Sequence, residues 1–203
     1  MGYKTTSTKK ALAHLKANGS LGALIKTHGS PDLARTGNAF QTLCRTIVGQ
    51  QLSTKAAQTI WERFLSVKSG QSLKPTDVLR HSDEALRLFG LSFSKCAFVK
   101  DLATKFDDRA LTTKKLLGWN DDEIRERLLA VKGIGPWSVD MFLIFALGRM
   151  DVLPVGDLGI QKGMQKFFKL KEKPNAKLME ELAEPWRPYR SIASWYMWRL
   201  LEE

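Results

Sequence analysis

Apolar residues recur every three to four positions along this chain, in segments separated by Gly, Pro, Asn and Ser. That spacing is typical of amphipathic α-helices. Asn18 is expected to end the first helix, Gly29 the second, and Asn38 to cap the third. A β-hairpin would require two segments of alternating apolar and polar residues joined by a tight turn, and we find no convincing example in the sequence. The pattern predicts an all-α protein.

Small polar residues and a proline mark the starts of the later helices. An oxygen-bearing side chain at a helix start accepts a hydrogen bond from a backbone N–H that has no partner within the helix. Further helices are predicted to begin at or just after Ser53, Thr76, Ser82, Ser94, Asn120, Asp157, Asn175 and Pro188.

Residues 120–148 predict a helix, a tight hairpin and a second helix. Asn120 suits the cap of the first helix. Gly133 and Gly135 permit left-handed or close-approach backbone in the hairpin. Pro136 fits the first turn of the second helix, where its missing N–H costs nothing. That second helix is apolar almost all round and is expected to be buried.

Bare backbone beside a helix N-terminus is suited to binding an anion. Lys132 adds a positive charge at this hairpin, and Ser138 adds a hydroxyl. A DNA phosphate would fit such a site without any base being read. The alternative is a plain helical hairpin whose glycines only tighten the turn, and the short pattern leaves both interpretations open.

A second stretch brings one carboxylate to the start of a helix. An apolar loop containing Pro154 and Gly156 leads to Asp157. On local evidence alone, Asp157 is expected to be a helix N-cap.

The charge indicates a polyanionic partner. The net charge is +11; residues 1–100 hold 15 Lys and Arg against 5 acids, whereas residues 101–203 hold 17 against 16. Attraction to phosphates should therefore come mainly from the first half of the chain. The alternative is that the basic residues serve only solubility.

No apolar run reaches the roughly 18 residues of a membrane span, and the first residues do not resemble a signal peptide. Cys44 and Cys96 are the two cysteines, which suggests a reducing compartment and is too few for the four ligands of an iron–sulfur cluster. The three histidines are too scattered to predict a transition-metal site. We expect an intracellular protein with no membrane partner.

Taken together, four segments resemble the helix-hairpin-helix DNA glycosylases, in particular the alkyl-purine branch, the 3-methyladenine DNA glycosylase II family. The matching segments are Ile47–Ser53 (IVGQQLS), Val131–Trp137 (VKGIGPW), Leu153–Asp157 (LPVGD) and Trp186–Trp198 (WRPYRSIASWYMW). Their joint spacing is far more specific than any one motif. The resemblance covers the chain from about residue 40 to residue 198.

The resemblance implies a helical fold of two subdomains with a DNA-binding cleft between them. Residues 39–155 would form one subdomain, ending in the helix-hairpin-helix; residues 1–38 and 156–203 would form the other. The implied partner is double-stranded DNA that contains damaged bases, with the protein acting as a monomer. The expected compartment is the nucleus in a eukaryote, or the cytoplasm and nucleoid in a bacterium.

The implied activity is base-excision repair: the enzyme flips out an alkylated purine, such as 3-methyladenine or 7-methylguanine, and removes it by hydrolysis. Asp157 matches the catalytic carboxylate of the family. It is the sole candidate, because Gly156 stands where many relatives carry a second aspartate. Trp137 stands where bifunctional relatives carry a lysine, so no lyase activity is expected. The base-pocket positions of the family correspond to Trp137, Trp198, Met141 and Leu158.

Other positions carry over as DNA and ion contacts. Gln51 matches the wedge that fills the gap left by the flipped base, and Thr54 would lie at the minor groove; alternatively, Gln50 and Gln51 cap loop backbone. The implied phosphate contacts are Lys132, Gly133, Gly135 and Ser138. A Na⁺ or K⁺ ion would be held by the carbonyls of Leu129, Val131 and Ile134. No organic cofactor is expected.

Two other functions compete with this one. The first is a non-catalytic helix-hairpin-helix module that only binds DNA. Asp157 and the two matched tryptophans argue against it, since binding alone needs none of them. The second is a bifunctional glycosylase/lyase for oxidised bases.

Overall fold

The computed structural model describes residues 5–31, 33 and 37–202, and every regular element in those ranges is helical. The all-α prediction is confirmed. None of the described helices is long and apolar enough to cross a membrane. The α-helices are α1 (Thr5–Ala17), α2 (Gly22–His28), α3 (Ala39–Gly49), α4 (Thr54–Phe64), α5 (Pro75–Leu79), α6 (Asp83–Leu88), α7 (Phe93–Asp107), α8 (Thr113–Gly118), α9 (Asp121–Leu129), α10 (Pro136–Met141), α11 (Leu158–Phe167), α12 (Ala176–Leu182) and α13 (Arg190–Arg199).

The chain divides into two compact units, one of Thr36–Phe142 and one of Met1–Arg35 with Leu143–Glu203. The expected boundary at 155/156 is therefore wrong, and the change of unit comes at 142/143. The segment before Asp157 is held by the start of α13: the Ser191 N–H donates to the Met150 carbonyl, and the Val152 N–H donates to Ser191 Oγ, both at 2.9 Å. Residues 1–4, 32, 34–36 and 203 of the expected subdomains lie outside the described residues.

In the unit 36–142, α7 is the central helix. It packs against α3, α5 and α6, and α3 also packs against α4 and α8. The side chains between these helices are large and fully shielded from solvent. They include Leu43 and Ile47 of α3, Phe64 of α4 and Leu102 of α7. This core fixes the loop after α3 and the hairpin after α9 to one scaffold.

The other unit is organised around α13, which packs against α11 and α2. Tyr196 on α13 is buried, and its hydroxyl donates to the Gly29 carbonyl at 2.7 Å. Burial raises the pKa of this phenol to about 12. The indole of Trp186 is also buried and donates to the Gly19 carbonyl at 3.2 Å. These bonds tie the two ends of the chain together.

Most predicted helix starts are confirmed by their cap bonds. Asn38, Ser53, Ser82, Asn120 and Asn175 each accept a backbone N–H from three residues further on.

Three predicted starts are wrong by two residues. The last helix, expected from Pro188, begins at Arg190. The helix expected from Thr76 begins after Lys74, because Pro75 takes the first helical position and Asp77 accepts the Lys74 N–H at 3.0 Å. The helix expected from Ser94 is capped by Ser92 instead. The two serines are separated by one residue, and either is a suitable cap.

The second helix of the hairpin motif is buried as expected, but it is not a uniform α-helix. After α10 the turn widens into a π-helix over Phe142–Ala146. Most side chains of this stretch are buried. Two large apolar side chains of α10 and the π-helical turn are nevertheless exposed, Trp137 with 46% and Phe145 with 38% of its surface. Exposed aromatic side chains on an otherwise buried helix are candidates for ligand contact.

Candidate active site and nucleic-acid interface

Asp157 lies at the start of α11, at the end of the apolar loop. Its N–H donates to the Pro154 carbonyl at 2.9 Å, which closes the turn. Its Oδ1 accepts the Ile160 N–H at 2.8 Å, so the prediction of an N-cap is confirmed. The residue is only 9% exposed. A carboxylate at a helix N-terminus is stabilised by the helix dipole.

The same oxygen of Asp157 has a second donor. Trp198 Nε1 on α13 donates to Oδ1 at 2.9 Å, across 41 residues of sequence. Two N–H donors on one oxygen fix the orientation of the carboxylate. A capping role alone would not require the indole. The pair therefore gives a preorganised negative charge beside an aromatic face.

Two glycines of α11 permit this contact. A Cβ on Gly159 would lie 2.9 Å from Trp198 Cδ1 and 3.0 Å from Asp157 Oδ1. A Cβ on Gly163, one turn later, would lie 2.4 Å from the Met197 carbonyl oxygen. Real Cβ atoms do not approach so closely, so any other residue would push α11 and α13 apart. The 2.9 Å bond between Trp198 and Asp157 depends on this close packing.

Phe145 was not identified from the sequence as a site residue. Its ring stacks on Trp198 with centroids 5.7 Å apart and planes at 29°. Leu158, the residue after Asp157, is 51% exposed. This unit thus brings together Asp157, Trp198 and Phe145. The sequence signal for Phe145 was hidden, because one aromatic among many apolar residues gives no indication of its exposure.

The two glycines of the hairpin serve different purposes. Gly133 has φ +77°, and a Cβ there would lie 2.1 Å from Phe98 Cδ2, so no side chain fits. Gly135 has an ordinary extended backbone, φ −104° and ψ 173°, and caps α10. A Cβ on Gly135 would meet nothing within 4 Å. Left-handed backbone is therefore confirmed at Gly133 only. Gly135 is extended, and its bare surface faces open space, which leaves room for the close approach expected there.

The backbone N–H groups of the hairpin are partly used within the protein. The Lys132 N–H donates to Asp101 Oδ2 at 2.9 Å, and the Ile134 N–H donates to the Val131 carbonyl at 3.1 Å. Those of Gly133 and Gly135 find no acceptor among the described residues. Two donors beside a helix N-terminus favour an anion.

The two side chains predicted to bind a phosphate at this hairpin, Lys132 and Ser138, differ in solvent exposure. The side chain of Lys132 is exposed and can reach an anion. Ser138 is only 4% exposed, so its hydroxyl is poorly placed for the expected phosphate contact.

Gln51 and Gln50 differ sharply. Gln51 is exposed and has φ +56°, a region that residues with a Cβ rarely adopt. Gln50 Nε2 donates to the Gly133 carbonyl at 2.7 Å. The alternative role, capping of loop backbone, is thus confirmed for Gln50, while Gln51 projects outward. Strained, exposed residues cluster at ligand-binding sites.

Thr54 is the first residue of α4 and is exposed. It borders a surface pocket of about 280 Å³ beside residues 50–53, the loop between α3 and α4 that we call the Gln51 loop. The residues around this pocket are Arg45, Gly49, Leu52, Thr54, Ala57 and Gln58.

The other predicted base contacts lie on α10. Trp137 is its second residue and is 46% exposed; Met141 is its last residue and is half-buried. Both belong to the unit 36–142, whereas Trp198 and Leu158 belong to the other unit. Trp61, by contrast, is 4% exposed and packs in the core.

The residues expected to bind an alkali cation offer suitable donors. Leu129 and Ile134 flank the hairpin, and the Val131 carbonyl keeps one lone pair after accepting the Ile134 N–H. Neutral carbonyl oxygens are the ligands that K⁺ takes in channel filters. The donor set therefore fits Na⁺ or K⁺.

Two relatives are about one third identical to this chain over the aligned residues. A DNA-3-methyladenine glycosylase of Schizosaccharomyces pombe is 35% identical over 162 residues, covering 79% of this chain and 71% of its own length. A DNA-3-methyladenine glycosylase of Saccharomyces cerevisiae is 33% identical over 199 residues, covering 79% of this chain. The present chain spans 66% of the length of that second relative.

Solved structures agree in fold. A DNA-3-methyladenine glycosidase of Bacillus halodurans has a TM-score of 0.85 and 35% identity, over 98% of this chain and 91% of its own. A 3-methyladenine DNA glycosylase of Schizosaccharomyces pombe in complex with abasic DNA has a TM-score of 0.81 and 32% identity, over 94% of this chain and 95% of its own. The family described as HhH-GPD superfamily base excision DNA repair protein matches residues 44–188, and this chain belongs to that family.

Proposed function

We propose that this protein is a monofunctional DNA glycosylase of base-excision repair that removes alkylated purines from duplex DNA. The observation that carries the proposal is the carboxylate of Asp157, which is nearly buried and oriented by the Ile160 N–H and by Trp198 Nε1. Relatives named DNA-3-methyladenine glycosylase, at 33–35% identity, support alkylated purines as the substrate class.

The target base must leave the helix before it can react. Gln51 would occupy the gap, since its side chain is exposed on the loop after α3. Thr54, exposed at the start of α4, would lie against the minor groove. The N–H groups of Gly133 and Gly135, with the Lys132 ammonium, would hold a backbone phosphate. Ser138 is buried and has no part in this proposal.

An alkylated purine carries a positive charge and is attracted to electron-rich aromatic faces. A cation–π contact contributes about 0.5–2 kcal/mol, which a neutral base would not gain. The indole of Trp198, backed by Phe145, offers such a face, and the exposed indole of Trp137 offers another. Met141 and Leu158 would add apolar contacts without polar discrimination between lesions.

The reaction breaks the bond between C1′ and the purine nitrogen. The bonding electrons leave with the base, which thereby becomes neutral, while the sugar becomes oxocarbenium-like. The Asp157 carboxylate would stabilise that positive charge. A water molecule then bonds to C1′ and passes a proton to the carboxylate or to solvent, leaving an abasic site.

We also propose that a Na⁺ or K⁺ ion binds the carbonyls of Leu129, Val131 and Ile134. When bound, it would add positive charge beside the phosphate. No organic cofactor takes part in the proposed reaction. The protein would act as a monomer, within the cell, in the nucleus of a eukaryote or in the cytoplasm and nucleoid of a bacterium.

The decisive experiment measures base release. The protein is incubated with DNA pre-treated with a methylating agent, and free 3-methyladenine and 7-methylguanine are quantified. Release of both bases, with abasic sites left uncut, supports the proposal. Tight DNA binding without release would instead indicate a non-catalytic module.

A second measurement tests for lyase activity. Trp137 has no nucleophilic amine where a bifunctional enzyme would need one. Borohydride added during the reaction should therefore trap no covalent protein–DNA adduct. An adduct that forms as fast as base release would contradict the monofunctional assignment.

A further inference from the structure

Lys95 on α7 holds the end of α3 and the loop that follows. Its ammonium donates to the carbonyls of Val48 and Gln50, at 2.8 Å each. Burial lowers the pKa of this lysine. A charged donor suits the C-terminal end of a helix, where carbonyls lack partners within the helix. Lys95 therefore fixes the backbone immediately before Gln51.

The same helix holds the hairpin. The ring of Phe98 lies against Gly133, in the space that a Cβ would need. Asp101 Oδ2 accepts the Lys132 N–H at 2.9 Å and the Lys105 ammonium at 2.7 Å. Although burial opposes it, the bonds from Lys105 and from the Lys132 N–H hold the pKa of Asp101 below its usual value.

The loop and the hairpin are also joined directly. Gln50 Nε2 donates to the Gly133 carbonyl at 2.7 Å. Lys95, Phe98 and Asp101 are spaced three residues apart, so they lie along one side of α7. The helix α7 thus contacts both the loop after α3 and the hairpin, and the side-chain amide of Gln50 links these two segments directly.

We propose that Lys95, Phe98 and Asp101 form a brace, with Gln50 as its cross-link, that sets the spacing between the Gln51 loop and the hairpin. This inference rests on the proposed function, in which Gln51 enters the duplex while the hairpin holds a phosphate. Both segments must engage the same DNA, so their spacing must be fixed before binding. Ordering them only upon binding would cost free energy at that step. Lys95 is a positioning residue in this scheme and touches no substrate.

Lys95→Met is the sharpest test, because it keeps the length of the side chain and removes the two donated hydrogen bonds. Lys100→Met is the matched control: it removes the same charge from the same helix, and Lys100 pairs with Asp83 on α6 rather than with either segment. Lys95→Arg restores the charge and the donors. Gln50→Leu removes the cross-link at a half-exposed position and serves as a second arm should Lys95→Met fold poorly.

Two readouts separate the brace from the activity. Hydrogen exchange of the free protein reports on residues 49–53 and 131–135, and Lys95→Met should accelerate it there about tenfold or more. Fluorescence of 2-aminopurine placed beside the lesion reports base flipping. Flipping and single-turnover excision should fall between about tenfold and 100-fold, which is the scale of a 1 Å misplacement. Affinity for undamaged duplex should match that of Lys100→Met, and Lys95→Arg should recover flipping to within about threefold.

Equal flipping by Lys95→Met and Lys100→Met would overturn the proposal, as would faster exchange with unchanged flipping, since the contacts would then be merely structural. Gln50→Leu with wild-type exchange and flipping would likewise remove the cross-link from the scheme. If the wild-type protein releases no methylated purine, the proposed function fails, while the exchange measurement still decides whether the brace holds the two segments.

Discussion

Asp157 performs two tasks that substitution can separate. As an N-cap it accepts the Ile160 N–H, and in the proposed reaction it supplies a negative charge. Asparagine caps a helix about as well as aspartate, so Asp157→Asn should change stability by only a few tenths of a kcal/mol. It removes the charge entirely. The variant therefore isolates catalysis from folding.

The expected loss follows from the geometry. A preorganised electrostatic group in a site shielded from water contributes about 100-fold to 1,000-fold in rate, or roughly 3–4 kcal/mol. With 9% exposure and two fixed donors, Asp157 meets that description. Single-turnover excision of 7-methylguanine from a defined duplex should fall by at least about 100-fold. Spontaneously labile 3-methyladenine is a poor probe, since its departure needs little help.

A matched pair of variants controls for stability. Asp157→Ala loses the cap as well as the charge, and Asn175→Ala loses an equivalent cap on α12, where Asn175 accepts the Leu178 N–H at 2.9 Å. Asn175→Ala should lower Tm by about 2–4 °C, from a cap worth about 1 kcal/mol. Asp157→Ala should lower it further, because it also loses the hydrogen bond from Trp198 Nε1. Only the Asp157 variants should lose excision. Excision by Asp157→Asn within a few-fold of wild type would refute the assigned role.

Further predictions concern the hairpin, the indole and the salt response. Gly133→Ala should destabilise the protein by about 2–5 kcal/mol in denaturant titrations, from left-handed strain and the clash with Phe98; unchanged stability would contradict it. Gly135→Ala should keep wild-type stability but weaken duplex binding, because its methyl group occupies the surface offered to a phosphate. Normal affinity would show that the hairpin has only a structural role. Trp198→Phe should slow excision by about tenfold or more through loss of a hydrogen bond worth about 1.5–3 kcal/mol, whereas Trp195→Phe on the same helix should not. The log–log slope of duplex affinity against salt should steepen by roughly 0.9 for each phosphate contacted, and a flat response would rule out phosphate binding.

Local chemistry made the helix starts predictable. An oxygen-bearing side chain at the correct offset was sufficient at Asn38, Ser53 and Asn120. It failed where two candidates competed, as at Ser92 and Ser94, because either serine could accept the same kind of bond. The π-helical turn after α10 was equally invisible, since its apolar pattern is that of any buried helix.

The contacts that build the site could not be predicted, because they join residues far apart in sequence. The resemblance brought Asp157 and Trp198 forward as site residues, but nothing in the sequence indicated that the indole donates to the carboxylate. Lys95 and Asp101 looked like ordinary charged positions on an amphipathic helix. Their contacts with the loop and the hairpin are made to backbone groups, which every residue carries, so residue identity does not indicate them.

The glycine pair of α11 has a consequence for protein engineering. Replacing glycine by alanine inside a helix ordinarily stabilises it by up to about 1 kcal/mol, and is a standard route to thermostable variants. At Gly159 and Gly163 the added methyl group would meet α13 instead of solvent. A screen for heat tolerance and a screen for turnover should therefore reject the same two substitutions. Positions without any functional group would then rank beside Asp157 in mutational sensitivity.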